Sequence, residues 1–390
     1  MVTYPSDWKE YKINDVADIF DNLRIPVTKN QRKAGNIPYY GANGIQDYVS
    51  GYTHDGEFVL IAEDGANDLQ NYPVTYTSGK IWVNNHAHVL AGVNSKADTR
   101  FLAYLLKKVD FAAVLVGGTR AKLNGKTLKN IEVTLPERLK EQQTIASVLS
   151  DFHEHIDNLS ELIEKKKAIR DGALEDLVTG RTRLDGFNDE WKTVSFNQVI
   201  KPKARIGWQG LKKDEYLRSG YSYLIGGTDF HNGTVNLDNI SYVSKERYDM
   251  DSNIQVESNN VLVTKDGTIG KVALVPKLDR PATLNSGVFV FRTTSSLLPI
   301  FLYRVLLSSV FREFINTLSA GSTIKHLYQK DLSNFEFIIP QDTKEQGAIA
   351  EVLTAMDEEI DSLKIEKEKM IQIKEGAMDD LLTGRVRLKV

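Results

Sequence analysis

Residues 140–184, KEQQTIASVLSDFHEHIDNLSELIEKKKAIRDGALEDLVTGRTRL, return at residues 344–388 as KEQGAIAEVLTAMDEEIDSLKIEKEKMIQIKEGAMDDLLTGRVRL. The copies align without a gap at a constant offset of 204 positions, and about half of the aligned residues are identical, the mark of an internal duplication. A fold that uses such a segment twice must offer it two equivalent settings.

Each copy reads as one long helix. Apolar residues fall at Ile145, Leu149, Phe152, Ile156, Leu159 and Ile163 in the first copy, and at Ile349, Leu353, Met356, Ile360 and Leu363 in the second. That four-three spacing makes a narrow seam suited to one partner helix, and the obvious partner is the other copy. Gly180 and Gly384 stand where a helix is stopped by a residue with positive φ. Gly172 and Gly376 lie inside the helices, where glycine costs about 1 kcal/mol relative to alanine, and so predict close approach of another surface. Two equivalent helices lying antiparallel would carry a pseudo-twofold axis and form a rod of about 55 to 60 Å from roughly 38 residues, with whatever precedes each helix at opposite ends.

The chain of 390 residues has room for two or three domains with cores of their own. It has no cysteine, hence neither disulfide framework nor thiolate metal site. Its beginning, MVTYPSDWKEYK, has no apolar core of a signal segment, and no run of eighteen apolar residues occurs. Secretion and membrane insertion are not expected, and a cytoplasmic setting is. A net charge of −3 argues against coating nucleic acid non-specifically. Any DNA binding must come from local patches or be shared with a partner.

Residues 1–138 are rich in Gly, Tyr and Asn, with β-type runs at 58–62, 80–83, 88–90 and 131–135 and a helical segment at 99–109. They predict a compact α+β globule. Residues 184–342 form a second globule with the same punctuation: DEWK at 189–192 echoes SDWK at 6–9, VLVTKDG at 261–267 echoes VLIAEDG at 59–65, and residues 321–340 match 117–136. The expected organisation is therefore globule 1–138, helix 139–183, globule 184–342 and helix 343–390, two tandem copies whose helices are alike and whose globules have diverged.

Three acid-free stretches concentrate base-edge and phosphate chemistry. Between Asp21 and Asp47 lie Arg24, Lys29, Arg32 and Lys33, followed by Tyr40 and Asn43. The loop at 117–130 carries Arg120, Lys122 and Lys126, and its counterpart in the second copy carries Lys325 and His326. Between Glu190 and Asp214 lie Lys203, Arg205, Lys212 and Lys213 around Trp208. All are candidate DNA contacts. Asn124-Gly125-Lys126-Thr127 imitates the end of a phosphate-binding loop, but Arg120 stands where that motif needs glycine. His86 and His88 would share a strand face without a third ligand, and His153 and His155 face different directions on a helix, so no metal site is expected.

At this point the residues match a family. The chain resembles, over essentially its whole length, the specificity subunit of type I restriction–modification systems. The resemblance rests on the helices opening with a Pro-to-Glu-Gln element, Pro136 to Gln142 and Pro340 to Gln346, and closing with Val/Leu-Thr-Gly-Arg-x-Arg-Leu, and more weakly on IPYYGANG, VLVTKDGTIGK and ATLNSGVFVFR. Val390 follows the second helix directly, so structural closure is expected from Trp8 onward meeting the end of that helix. The resemblance implies an α+β protein with two mixed target-recognition domains and an antiparallel helical coiled coil. It also implies a non-catalytic subunit that grips double-stranded DNA and holds two methyltransferase subunits, with restriction subunits joining through the complex. S-adenosylmethionine, ATP and Mg would belong to the partners, which would also flip the target adenine. No Gly-rich cofactor loop, no Asn/Asp-Pro-Pro-aromatic tetrapeptide and no P-loop is present. The competing reading is a coiled-coil scaffold whose two globules bind ligands other than DNA.

Overall fold

The computed structural model describes residues 3–115, 122–206, 210–319 and 326–389. It divides into two compact units, Met1–Glu161 with Lys364–Val390, and Leu162–Leu363. The long helices, Leu139–Val178 and Thr343–Leu381, therefore each contribute residues to both units.

In the first unit a six-stranded mixed sheet is built from β2 (Ala17–Ile19), β3 (Ala34–Gly41), β4 (Gly44–Val49), β5 (His54–Ala62), β6 (Val74–Val83) and β7 (Ala87–Gly92), once β1 (Trp8–Lys12) has entered the fold. The strand order is β2-β7-β5-β6-β3-β4, antiparallel throughout except where β3 runs parallel to β6 and Tyr39 faces Trp82. The run FVLIA is buried along its whole length, as expected of a strand covered on both faces. β1 pairs with β8 (Glu132–Pro136) from Trp8 opposite Pro136 to Lys12 opposite Glu132. Asp98 caps the helix Thr99–Leu106, accepting from the Phe101 amide at 2.8 Å; a carboxylate there satisfies an amide the helix cannot.

The start of the first long helix packs into this core. Ile145 and Leu149 join Phe101, Leu102 and Leu105 in one cluster, which also takes in Met378, Leu381 and Leu382 from the end of the second long helix. Farther along, His153 meets Lys374 and His155 meets Glu366. Partners on one helix recede as the other advances, so these segments run antiparallel.

The second unit repeats the plan with a different sheet layout. Trp191–Ser195 pairs with Glu336–Pro340, Trp191 opposite Pro340 as Trp8 stands opposite Pro136. A six-stranded sheet and a separate four-stranded sheet replace the single six-stranded one. Ile349 and Leu353 share a core with Phe301, Leu302 and with Leu174, Leu177 and Val178. Arg170 pairs with Asp357 and Lys166 with Glu359, again an antiparallel register.

The apolar seam thus does more than join two helices. Its buried starts, Ile145, Leu149, Ile349 and Leu353, lie on their own globules as well, while Phe152, Ile156, Met356 and Leu363 are only half-buried. Leu159 and Ile360 are buried. Gly172 and Gly376 are both exposed, and a Cβ on either would meet nothing within 4 Å, so neither packs against the other helix of this chain. Within this chain they are not pairing residues.

The Glu-Gln element and the Arg at the helix end form a reciprocal latch. In the first unit the Gln142 side chain accepts from the Asp98 amide at 2.8 Å and donates to the carbonyls of Lys96 and Pro136 at 2.9 and 2.8 Å. In the second unit Gln346 does the same with the Leu298 amide and the Ser296 and Pro340 carbonyls. Arg387 reaches the buried Glu141 at 2.7 Å and also Asp7, which accepts two bonds from it; Arg183 grips the buried Glu345 through two bonds of 2.6 and 2.9 Å. Asp7 and Glu141 hold Arg387 above its ordinary pKa, and Arg387 in turn holds Asp7 below its own. Both helices end on the expected glycine, Gly180 at φ 66° and Gly384 at φ 70°. A Cβ at Gly384 would sit 2.5 Å from Pro5, so glycine is required there twice over. Trp8 and its neighbours do meet the end of the second helix.

Candidate nucleic-acid interface

The acid-free stretches divide into residues held inside the globules and residues left on their surfaces. Arg24 is among the former. Its guanidinium donates to Glu63 at 2.6 Å and to the Ala87 carbonyl at 2.8 Å. Tyr40 is buried with its hydroxyl against Thr77, and Asn43 staples two loops by donating to the Gly65 carbonyl and accepting from the Asn67 amide. Arg205 is buried and donates to the Leu284 carbonyl at 2.9 Å, its pKa lowered by desolvation and by Arg247. Arg24, Tyr40 and Arg205 are therefore corrected from DNA contacts to structural groups, whereas Asn43 keeps an exposed side chain beside its two loop bonds. Each found partners that only the folded chain brings near.

On the surface of the first unit lie Lys29, Lys33 and Lys126, with Lys122 half-exposed and paired to Glu63 at 2.9 Å. Arg32 spans the two classes: it pairs with Asp47 and lies 4.1 Å from the Tyr39 ring centroid. With Lys33, Tyr39 and Trp82 it lines a cavity of about 280 Å³. In the second unit Lys203, Lys212, Lys213 and His326 are exposed. Arg120, Trp208 and Lys325 lie outside the described residues.

Surface aromatics add to both faces. Tyr48 and Tyr52 of the first unit are exposed, the latter under Lys80 at 4.7 Å. In the second unit Lys245 sits over the exposed Tyr221, and Arg280 covers the half-buried Tyr242 and the buried Tyr223. Paired cations and rings suit sugar-phosphate and base contacts. Sequence reading passed them over because the tyrosines and their cations are far apart in the chain.

The Asn124-Gly125-Lys126-Thr127 motif is a helix cap. Asn124 accepts from the Thr127 amide at 2.9 Å to start the short helix Gly125–Lys129. His86 and His88 do not share a strand face, since β7 begins at Ala87 and His86 lies in the turn before it. His88 is buried between Asp21 at 2.6 Å and the Leu123 carbonyl at 2.7 Å. Asp21, Glu63 and His88 converge, yet Arg24 and Lys122 already neutralise both carboxylates. The cluster reads as an ion-pair network that anchors the chain at Leu123.

Burial pulls the His88 pKa down, but the bonds to Asp21 and the Leu123 carbonyl outweigh it and raise the value overall. A histidine with a raised folded pKa stabilises the fold fully below its unfolded value of about 6.5, and that contribution is lost as pH climbs through the folded value. Unfolding of the first unit should therefore become easier as pH rises above about 6.5, and His88→Gln should flatten this slope. Urea titrations across pH 6 to 9 check it, and an unchanged slope in the variant would assign the dependence to other groups.

Both compact units, then, carry exposed basic and aromatic groups on related frameworks. The family model described as the type I restriction modification DNA specificity domain matches the chain twice, over residues 5–168 and 188–375. The chain belongs to the type I restriction–modification DNA specificity family. A putative type I restriction enzyme specificity subunit of Haemophilus influenzae is 30% identical over 353 residues, covering 89% of this chain and 86% of that one. A type I restriction enzyme specificity subunit of Methanocaldococcus jannaschii is 24% identical, covering 99% and 94%. The crystal structure of a type I system S subunit from M. genitalium shares the fold, with a TM-score of 0.64 at 17% identity over 96% of both chains. The family accounts for the two-domain repeat and for a role in DNA sequence specificity, and it supports that reading over the scaffold with non-DNA ligands. Members are specificity subunits, in keeping with a chain that leaves catalysis to others. No helix among the described residues is long and apolar enough to cross a membrane.

Proposed function

We propose that each unit of this specificity-family chain reads one half of a bipartite target in double-stranded DNA, and that the long helices fix the distance between the halves and dock two methyltransferase subunits. The observation that carries this reading is the mixture of sameness and difference. The latch of Gln142 and Glu141 recurs atom for atom at Gln346 and Glu345, while the sheets and the basic surfaces differ. Identical frames serve one common partner used twice; unlike faces serve unlike half-sites.

The docking of two copies of one partner is supported by a repeated patch. Ile169 and Ile373 are equivalent, exposed by 50% and 53%, and each stands three residues before an open helical glycine. Such glycines weaken a helix and give a second helix room to approach. Chemistry would reside in the partners, which would carry S-adenosylmethionine, ATP and Mg, with restriction subunits joining through the assembly in the cytoplasm.

Exchange of residues 1–138 for the corresponding domain of a relative tests the reading. Long-read mapping of methylated adenines should show one half-site replaced, with the other half and the spacer unchanged. A change in both halves, or in neither, would show that the units do not read independently.

A further inference from the structure

Two residues beyond the end of β5 stands Asp64, and two beyond the strand Val261–Thr264 stands Asp266. Each is followed by a glycine with positive φ, Gly65 at 68° and Gly267 at 69°. Each bridges the chain where it returns to the globule: Asp64 lies opposite Lys122, Asp266 opposite His326. The adjoining bonds match as well, the Leu123 amide to the Glu63 carbonyl and the Leu327 amide to the Lys265 carbonyl, both at 2.8 Å.

At this shared corner each aspartate holds a histidine. His86 Nδ1 is 2.5 Å from Asp64 Oδ1, and His326 Nδ1 is 2.5 Å from Asp266 Oδ1. The histidine side chains remain 49% and 54% exposed, and among the described residues no bond to either Nε2 is found. The two rings arrive from different places. His86 comes from the turn between β6 and β7, fixed by the Glu63 amide donating to its carbonyl at 2.9 Å; His326 occupies the position that Lys122 holds in the first unit. An exposed pair of this kind adds little stability, so reaching the same arrangement from two unrelated chain positions calls for another reason.

An ionised carboxylate can only accept, so Nδ1 carries the proton, and with Nε2 unprotonated the ring presents that nitrogen as an acceptor in a fixed direction. We propose that His86 and His326 are specificity-determining residues, each accepting through Nε2 from the exocyclic amino group of an adenine or cytosine in its own unit's half-site. In the major groove those amino groups are the donors a base edge offers. Asp64 and Asp266 act as positioning residues that set the tautomer. The inference rests on the reading of the units as half-site readers.

The test uses the full chain assembled with its methyltransferase subunits and a panel of duplexes varied one pair at a time around the mapped target. Selectivity of the unaltered complex at both half-sites establishes the half-site reading by itself, and its absence would overturn both proposals. His86→Ala should lose selectivity by about tenfold at one pair of the first half-site, and His326→Ala at one pair of the second, the scale of a base contact left unmade. Replacing the base at that pair by its amino-deleted analogue, purine for adenine or 2-pyrimidinone for cytosine, should weaken the unaltered complex and leave the alanine variant unmoved. Asp64→Asn, which can donate to Nδ1 and so turn Nε2 into a donor, should shift preference at the same pair toward an acceptor edge. Selectivity retained at every pair by both alanine variants, a uniform loss on all sequences, or an equal response of variant and parent to the amino-deleted base would each overturn the assignment while half-site reading stands.

Discussion

Gln142→Ala is expected to destabilise the first unit by about 3 to 5 kcal/mol, and Gln346→Ala the second by a similar amount. Each glutamine is fully buried and spends its amide on three backbone groups: a helix-entry amide and two carbonyls. Alanine leaves all three without this partner, the Pro136 or Pro340 carbonyl in a buried site and the others part-buried, and an unsatisfied buried group costs about 1 to 3 kcal/mol. Gln142→Glu should not rescue, because a carboxylate would face the Lys96 and Pro136 carbonyls with no hydrogen to give. Urea unfolding of the full chain measures both variants. A loss below about 1 kcal/mol in either would show that the element is not the tie between globule and helix.

Seven residues inserted between Glu161 and Leu162, together with seven between Leu363 and Lys364, should lengthen the unread spacer of the DNA target by about three base pairs with both half-sites intact. Two heptad-length insertions keep the apolar seam in phase and add about 10 Å to each helix, against about 3.4 Å per base pair. The positions follow from the structure. An insertion just before Leu177, which the seam by itself would allow, falls in the core shared with Leu353 and ahead of the Arg183–Glu345 pair, and would dismantle the second unit. Lengthening only one helix should abolish activity, because the two registers then no longer match. Methylation mapping decides the matter: an unaltered spacer with full activity in the doubly lengthened chain would show that the methyltransferases, not the helices, set the distance.

Periodicity alone placed the two helices, their stops at Gly180 and Gly384, and the strands around 58–62, 80–83 and 131–135, because helix and strand repeats are written in neighbouring residues. The organisation into two tandem copies was equally legible, since duplication is a property of the string. The basic loops were legible only in part. Lys29, Lys33, Lys126, Lys203, Lys212 and Lys213 are exposed, whereas Arg24 and Arg205 are spent on Glu63 and the Leu284 carbonyl. A cation's freedom depends on what lies opposite, and residue 24 has no local reason to meet residue 63.

The sequence by itself determined the repeated architecture and the family, both of which rest on local pattern and spacing. Tertiary structure decided three other things. It divided each helix between two units, placed the Glu-Gln element against the opposite helix end, and set a histidine on Asp64 and on Asp266. The physical reason is range: helical periodicity is enforced by bonds four residues apart, whereas Glu141 and Arg387 are joined across 246 positions, and only the closing of the cores brings such groups within reach.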